Sequence, residues 1–369
     1  MSYTTHRLGD LCTLVRGTSA TLKTALGDYP LVVTAEFRRS ADTWQLEGPA
    51  VCVPLVSSTG HGDAALHRVH YQEGRFALAN LLVALLRKEG APLDVKYLYR
   101  YLMAHKDRLL VPLMLGTANV SLKECDIADV VIPLPPLPEQ QRIVVRIEEV
   151  TQQLDNAHCL QGEVSAEADQ VCRALLRDAH NVSTPLRELC NLRAPDVRVQ
   201  ADLSYHFAGV YSFGRGVFVG NIKAGTEFAY PKLTRLRAGD FVYPKLMAWE
   251  GAFGVVPPEC DGLVVSTEFP VFEVNRDRVL PEVLDVHFRN PALWASIGGA
   301  STGTNVRRRR LNPQDFLDLE LPLPPMERQR LLAKTHASVQ EVKTRQSESR
   351  TMLNALLPAI LERAFAGAL

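Results

Sequence analysis

The sequence predicts an α+β fold of two mixed α/β lobes, each followed by a long helix. Three observations predict it: the chain is internally duplicated, each copy closes on an apolar strand ending in paired prolines, and an apolar stripe at helical spacing follows each pair. The 369 residues allow two or three domains with a substantial core, and 46% hydrophobic with 22% charged residues excludes a disordered or fibrous chain. Seven cysteines, odd in number and without a Cys-x-x-Cys pair, predict reduced thiols rather than a disulfide scaffold. The longest apolar run, residues 78–86, falls well short of the ~20 residues that cross a bilayer, and the N-terminus has no signal core. The expectation is a soluble, cytoplasmic protein with no membrane partner. With 41 basic and 41 acidic residues, the chain lacks the basic excess common in nucleic-acid binders.

The duplication rests on three landmarks in the same order. Leu8-Gly-Asp-Leu-Cys12 is echoed by Leu186-Arg-Glu-Leu-Cys190. Gly116-Thr-Ala-Asn-Val120 with Leu122 and Asp126 is echoed by Gly303-Thr-Asn-Val306 with Leu311 and Asp315. The segment from Asp129 to Arg142, with Pro-Leu-Pro-Pro at its centre, returns from Asp318 to Arg330, and aligning Glu139-Gln-Gln141 with Glu327-Arg-Gln329 leaves one residue unmatched.

Within the lobes, β-rich runs such as Ala50–Val56, Gly216–Val219, Phe241–Tyr243 and Val264–Val274 are separated by Gly, Pro and Asp turns, and Tyr97–Lys106 has helical character. Pro135-Pro136 and Pro324-Pro325 lack amide donors, so they end the preceding strand and release a helix. Glu139 and Glu327 then fall in a first helical turn, where negative charge suits the dipole.

The first helix carries Ile143, Ile147, Val150, Leu154, Ala157, Gln161, Val164, Ala168, Val171 and Leu175 at alternating spacings of four and three, a heptad seam. The second carries Thr335, Val339, Val342, Gln346, Ser349, Leu353, Leu356 and Ile360 at the same spacing with fewer apolar members. Residues 131–182 hold four basic and eight acidic residues, and 322–369 hold seven basic and four acidic. Opposite charge favours packing of the two helices on each other, and an antiparallel register aligning their midpoints would bring Gln161 near Gln346. Separate packing of each helix on its own lobe is the alternative.

No nucleotide phosphate loop, zinc-protease helix or nucleophile elbow is present. Gly214–Gly220 has the wrong spacing for a phosphate loop, Glu341-Val-Lys343 lies within a helical stripe, and His61, His67 and His70 lack ligand partners and read as surface histidines. Binding has more support. Arg307, Arg308, Arg309 and Arg310 follow a Gly-Thr-Asn turn that includes Asn305, and suit contacts to phosphate or guanine, although a solvated face is the commoner fate of a charge run. In the same lobe Lys232, Arg235, Arg237 and Lys245 interleave with Tyr230, Tyr243 and Trp249. The first lobe offers Arg16, Lys23, Arg38, Arg39 and Lys123, a weaker set.

The duplicated lobe and helix, the Pro133–Gln140 boundary, the preceding Gly-Thr with Asn, and the ending Leu356–Leu369 together resemble the DNA-specificity subunit of type I restriction-modification systems. The resemblance covers almost the whole chain. It implies a pseudo-twofold repeat with target recognition domains at 1–136 and 183–325, and spacer helices at 137–182 and 326–369 forming an antiparallel coiled coil. It further implies a non-catalytic host-defence subunit that reads a bipartite double-stranded DNA target, one half-site per lobe. Its partners would be two methyltransferase subunits, which use S-adenosylmethionine for DNA methylation, and in the restriction complex motor-nuclease subunits as well. This chain itself would bind no cofactor or metal and hold no catalytic residue. Asn119 with Lys123 would serve the first half-site, and Asn305 with Arg307–Arg310 the second. A self-sufficient nuclease with a dispersed metal site, or a scaffold without DNA preference, are the competing readings.

Overall fold

The computed structural model describes residues 3–59, 62–117, 120–177, 181–300 and 310–367. It divides into two compact units, residues 1–158 with 349–369 and residues 159–348. Among the described residues no helix is long and apolar enough to cross a membrane.

In the first unit β1 (Thr5–Arg7) leads through α1 (Leu8–Leu11) to β2 (Cys12–Arg16), β3 (Tyr29–Val32), β4 (Arg39–Ala41), β5 (Leu46–Pro54), β6 (His70–Leu78) and β7 (Leu82–Arg87). Strands β2 to β7 form a sheet of order β2-β7-β5-β6-β3-β4. Only its β3–β6 pair is parallel. Alternate residues of β5 enter two different cores, Val51 and Val53 one and Ala50 and Cys52 the other. Burial on both faces explains why this strand reads as an unbroken apolar run. Helix α2 (Val95–Leu109) starts at Asp94, whose carboxylate accepts from the Tyr97 amide at 3.0 Å, and ends with Lys106 and Arg108 against its negative pole. After α3 (Glu124–Ala128) and β8 (Val131–Pro133), which pairs with β1, comes the long helix α4 (Leu137–Leu175).

The second unit holds β9 (Val182–Pro185), β10 (Cys190–Leu192), β11 (Val197–Arg198), β12 (Ser204–Tyr211), β13 (Gly216–Ala224), β14 (Lys232–Arg235), β15 (Phe241–Val242), β16 (Gly254–Val255), β17 (Val264–Ser266) and β18 (Val271–Val274). Helices α5 (Pro281–Phe288), α6 (Pro291–Ala300) and α7 (Pro313–Leu317), strand β19 (Glu320–Leu323) and the long helix α8 (Met326–Phe365) complete it, with α8 continuing into the first unit from residue 349. The sheets are β10-β18-β15-β16 and β11-β14-β17-β12-β13. The run Val264–Val274 is two strands, because the chain turns at Ser266, whose carbonyl accepts from Phe269 at 2.9 Å, and Pro270 follows.

The duplicated landmarks make the same local bonds in each unit. Ribbon β1–β8 corresponds to β9–β19, and the Leu8 amide donates to Val130 as the Leu186 amide donates to Leu319, both at 2.9 Å. The boundary aligns without a gap once counted from its paired prolines: Gln140 and Gln329 each stand four residues after the second proline, and both are buried. The gapped alignment, which matched Gln141 with Gln329, is therefore corrected; Gln141 is exposed.

The heptad seam is also corrected. Ile143, Ile147, Val150 and Leu154 are buried, but Val164 and Val171 are 45% and 53% exposed, while Cys172 and Leu176 are buried at 2% and 7%. A straight α-helix turns through 3.6 residues, so a stripe written at 3.5 drifts by about 20° per heptad and slips roughly one residue over four. In α8 Val339 is buried and Val342 and Leu356 are exposed, each followed by a half-buried residue, Lys343 and Leu357. Leu175, Gln161, Gln346, Leu353 and Ile360 are half-buried, as are Ala157 and Ala168, and Ser349 is exposed. In the second unit the end of α4 and the start of α8 run antiparallel: Asp169 meets Lys343 at 2.6 Å, and the Leu175 carbonyl accepts from Arg328 Nε at 3.1 Å.

Candidate nucleic-acid interface

In both units the chain reaches its closing helix through one backbone bond. The Leu122 amide donates to the Leu55 carbonyl at 2.9 Å, and the Leu311 amide donates to the Lys245 carbonyl at 3.0 Å. What the side chains do at that crossing differs. Leu55 is core, whereas Lys245 is half-buried and donates through Nζ to the Thr267 carbonyl at 2.9 Å. Arg310, exposed beside it, pairs with Glu268, whose carbonyl accepts from the Lys245 amide at 3.0 Å. Lys232 is exposed one residue beyond the Leu233–Ser266 pair of β14 and β17, so it lies toward the same end of β17. Exposed Leu246 and Met247 follow Lys245. Three cations and two exposed apolar side chains therefore gather around Ser266–Glu268, a mix able to meet phosphate and base.

Arg235 and Arg237 do not join this group. Arg235 pairs with Val264 at the far end of β17 and donates to the Gly262 carbonyl at 3.0 Å. The Arg237 amide bonds Asp240 at 3.1 Å, and Asp240 forms a buried ion pair with Arg193. Burial pushes the Asp240 carboxyl up despite that guanidinium, which marks the pair as interior scaffold. Tyr243 belongs to the core, its hydroxyl 3.4 Å from the Leu311 carbonyl, so it is removed from the candidate contacts; Trp249 is half-buried and Tyr230 exposed. Asn305, Arg307, Arg308 and Arg309 lie outside the described residues, as do His61 and Asn119.

In the first unit Lys123 is exposed as the residue capping the start of α3. Arg16, Arg38 and Arg39 hold local structure instead: Arg16 contacts Glu124 at 3.6 Å, Arg39 donates to the Thr21 carbonyl at 2.7 Å, and Arg38 donates to Gln72 and the Tyr71 carbonyl. His70, read as a surface residue, is buried 3.1 Å from Arg38; burial, helped by Arg38 and Arg68, pushes it down to about 4. Lys23 is exposed between Leu22 and Leu26, which with Phe37 are among the most exposed apolar side chains described. Sequence reasoning passed over Leu22, Leu26, Phe37, Leu246 and Met247; apolar residues beside cations in short loops were the available signal.

Among the described residues no group of three or more His, Cys, Asp or Glu is placed to hold a metal ion. All seven cysteines are free, and burial pushes Cys12 and Cys52 up to about 12, away from thiolate reactivity. Lys343 of the Glu341-Val-Lys343 segment is the partner of Asp169, and Gly214 in the β12–β13 connection and Gly216 at the start of β13 both have positive φ.

Residues 2–164 match the family model described as the type I restriction modification DNA specificity domain. The fold resembles the S subunit of a type I restriction-modification system from M. genitalium over 99% of this chain and 96% of that one, with 14% identity and a TM-score of 0.54. A second solved structure, described by its role in complex assembly and conformational transition of the type I R-M system, matches 100% of this chain and 98% of its own. Its identity is 17% and its TM-score 0.64. At these identities the likeness is one of fold. No curated protein sequence matches the chain.

Proposed function

We propose that the chain, whose residues 2–164 match the type I restriction modification DNA specificity domain, is a non-catalytic specificity subunit of a type I restriction-modification system that reads a bipartite DNA target with one lobe per half-site. The observation that supports this most is the conserved crossing with unlike chemistry, Leu55 in one unit and Lys245 with Arg310 in the other. One backbone plan carrying different side chains is what two different half-sites require. In this reading residues 1–136 and 183–325 are the recognition domains, with Asn119 and Lys123 serving the first half-site, and Lys232, Lys245 and Arg310 with Arg235, Arg237, Asn305 and Arg307–Arg309 serving the second. Helices 137–182 and 326–369 pair antiparallel as a spacer in a pseudo-twofold arrangement that sets an unread gap, with Gln161 facing Gln346.

The family match implies DNA and assembly with the other subunits of the system. Two methyltransferase subunits would supply S-adenosylmethionine and modify adenine after flipping it from the duplex, and motor-nuclease subunits would add restriction. Methylome sequencing of a host with and without this chain tests the proposal. Two short base-specific blocks separated by a constant gap, methylated only when the chain is present, are expected. Methylation that does not depend on the chain would overturn it, as would DNA cleavage by the purified chain with magnesium alone.

A further inference from the structure

Gln140 and Gln329 are completely buried, at 0% and 1% exposure, and each bonds main-chain groups. Gln140 Oε1 accepts from the Asp94 amide at 2.8 Å, and its Nε2 donates to the carbonyls of Pro92 and Pro135, both at 2.8 Å. Gln329 Oε1 accepts from the Leu280 amide at 2.8 Å, and its Nε2 donates to the carbonyls of Arg278 at 3.1 Å and Pro324 at 2.9 Å. Asp94 and Leu280 are the capping residues at the starts of α2 and α5. Each glutamine thus ties three points of the chain together: the loop entering a lobe helix, the residue that caps that helix, and the paired-proline turn that opens a long helix.

The residues around the two amides share little. Pro92 stands where the other unit has Arg278, and Asp94 where it has Leu280. A primary amide both accepts and donates twice, which neither a carboxylate nor an apolar side chain of similar size does. Because the bonds go to backbone, the joint works whatever the lobe's own side chains are. Losing the amide would take a partner from three main-chain groups at the joint, the Pro135 carbonyl in a buried bond and the Asp94 amide and Pro92 carbonyl in part-buried ones.

Resting on the bipartite reading above, we infer that Gln140 and Gln329 are positioning residues that set the permitted gap between half-sites. Each fixes the angle at which a long helix leaves its lobe, and neither touches DNA. The joint is independent of lobe sequence, so half-sites can diverge while the gap stays constant.

The test uses the full chain assembled with its methyltransferase subunits and duplexes carrying both half-sites at the native gap or at one base pair more or less. Wild type should lose about tenfold in affinity for either altered gap, the equivalent of about 1.4 kcal/mol. Gln140→Met and Gln329→Met should narrow that difference to about threefold or less, with the selected half-site bases unchanged. Should a methionine variant fail to fold, Gln140→Asn and Gln329→Asn, which keep the amide one methylene short, give the same measurement. Folded variants with lowered thermal stability but wild-type gap discrimination would overturn the inference, leaving the glutamines a purely structural role. A wild type that selects one contiguous block would instead sink the bipartite reading itself.

Discussion

In the first unit α2 meets the end of α8 through rings: Phe365 lies edge-on to Tyr97 and Tyr101 at centroid separations of 5.6 and 5.0 Å, with His105 at 5.4 Å. In the second unit α5 meets the start of α8 through charge. Asp285 is buried 2.7 Å from Arg289 Nε and 3.1 Å from His336 Nε2. Burial opposes the charge on Asp285, yet these two partners hold its carboxyl below the usual range. The backbone joints are common to both units, namely the two-stranded ribbon, the carbonyl crossing and the buried glutamine, while the side chains that seat each lobe on its helix are not. Duplicated architecture here is kept by main-chain bonds, and side chains are free to differ.

The largest effects should come from breaking the two seats. Phe365→Ala should cost about 3–5 kcal/mol through a cavity, and Asp285→Ala about 2–3 kcal/mol by stranding the half-buried Arg289 and His336. Hydrogen exchange should assign each loss to a different unit; a loss shared equally would break the comparison.

Acid should act on both units alike. Burial pushes His70 in the first unit and His287 in the second down to about 4. An unfolded histidine takes its proton near 6.5 and these folded ones do not, so their stabilising effect is complete above that pH and is lost as pH falls toward 4. His70 alone should contribute up to about 3 kcal/mol at neutral pH. Denaturation of His70→Gln across that range should show a shallower loss than wild type; an identical slope would contradict the assignment.

Replacing Lys245 and Arg310 by alanine should weaken DNA binding about tenfold and reduce the magnitude of the log–log salt slope by about 2, if both meet phosphate. An unchanged slope would remove both from the interface. The smallest effect belongs to the corrected stripe. Val171→Ala should change stability by less than about 0.5 kcal/mol because the side chain is exposed, and Cys172→Ala by about 1 kcal/mol. The reverse order in thermal unfolding would restore the heptad seam.

Composition and repetition made the duplication, the paired-proline boundaries and the long helices legible. Spacing alone did not separate a 3.5 from a 3.6 repeat, since Val171 and its neighbour Cys172 differ little in the pattern until burial distinguishes faces over several turns. The buried glutamines were visible as letters but hidden by an alignment that favoured matching Glu139 to Glu327 over counting from the prolines. Tyr243 looked like a contact residue because aromaticity carries no sign of burial; the Leu311 carbonyl, distant in sequence, meets its hydroxyl inside the core.

The most direct test is selection from a random duplex library by the chain assembled with its methyltransferase subunits, compared with the variant carrying Lys245→Leu and Arg310→Ser, after Leu55 and Ser121, which stand at those places in the first unit's crossing. Two base-specific blocks at a fixed gap are predicted for wild type, and the variant should alter or erase one block while leaving the other block and the gap as they were. A single contiguous block, or equal change in both blocks, would contradict the assignment of one lobe to each half-site.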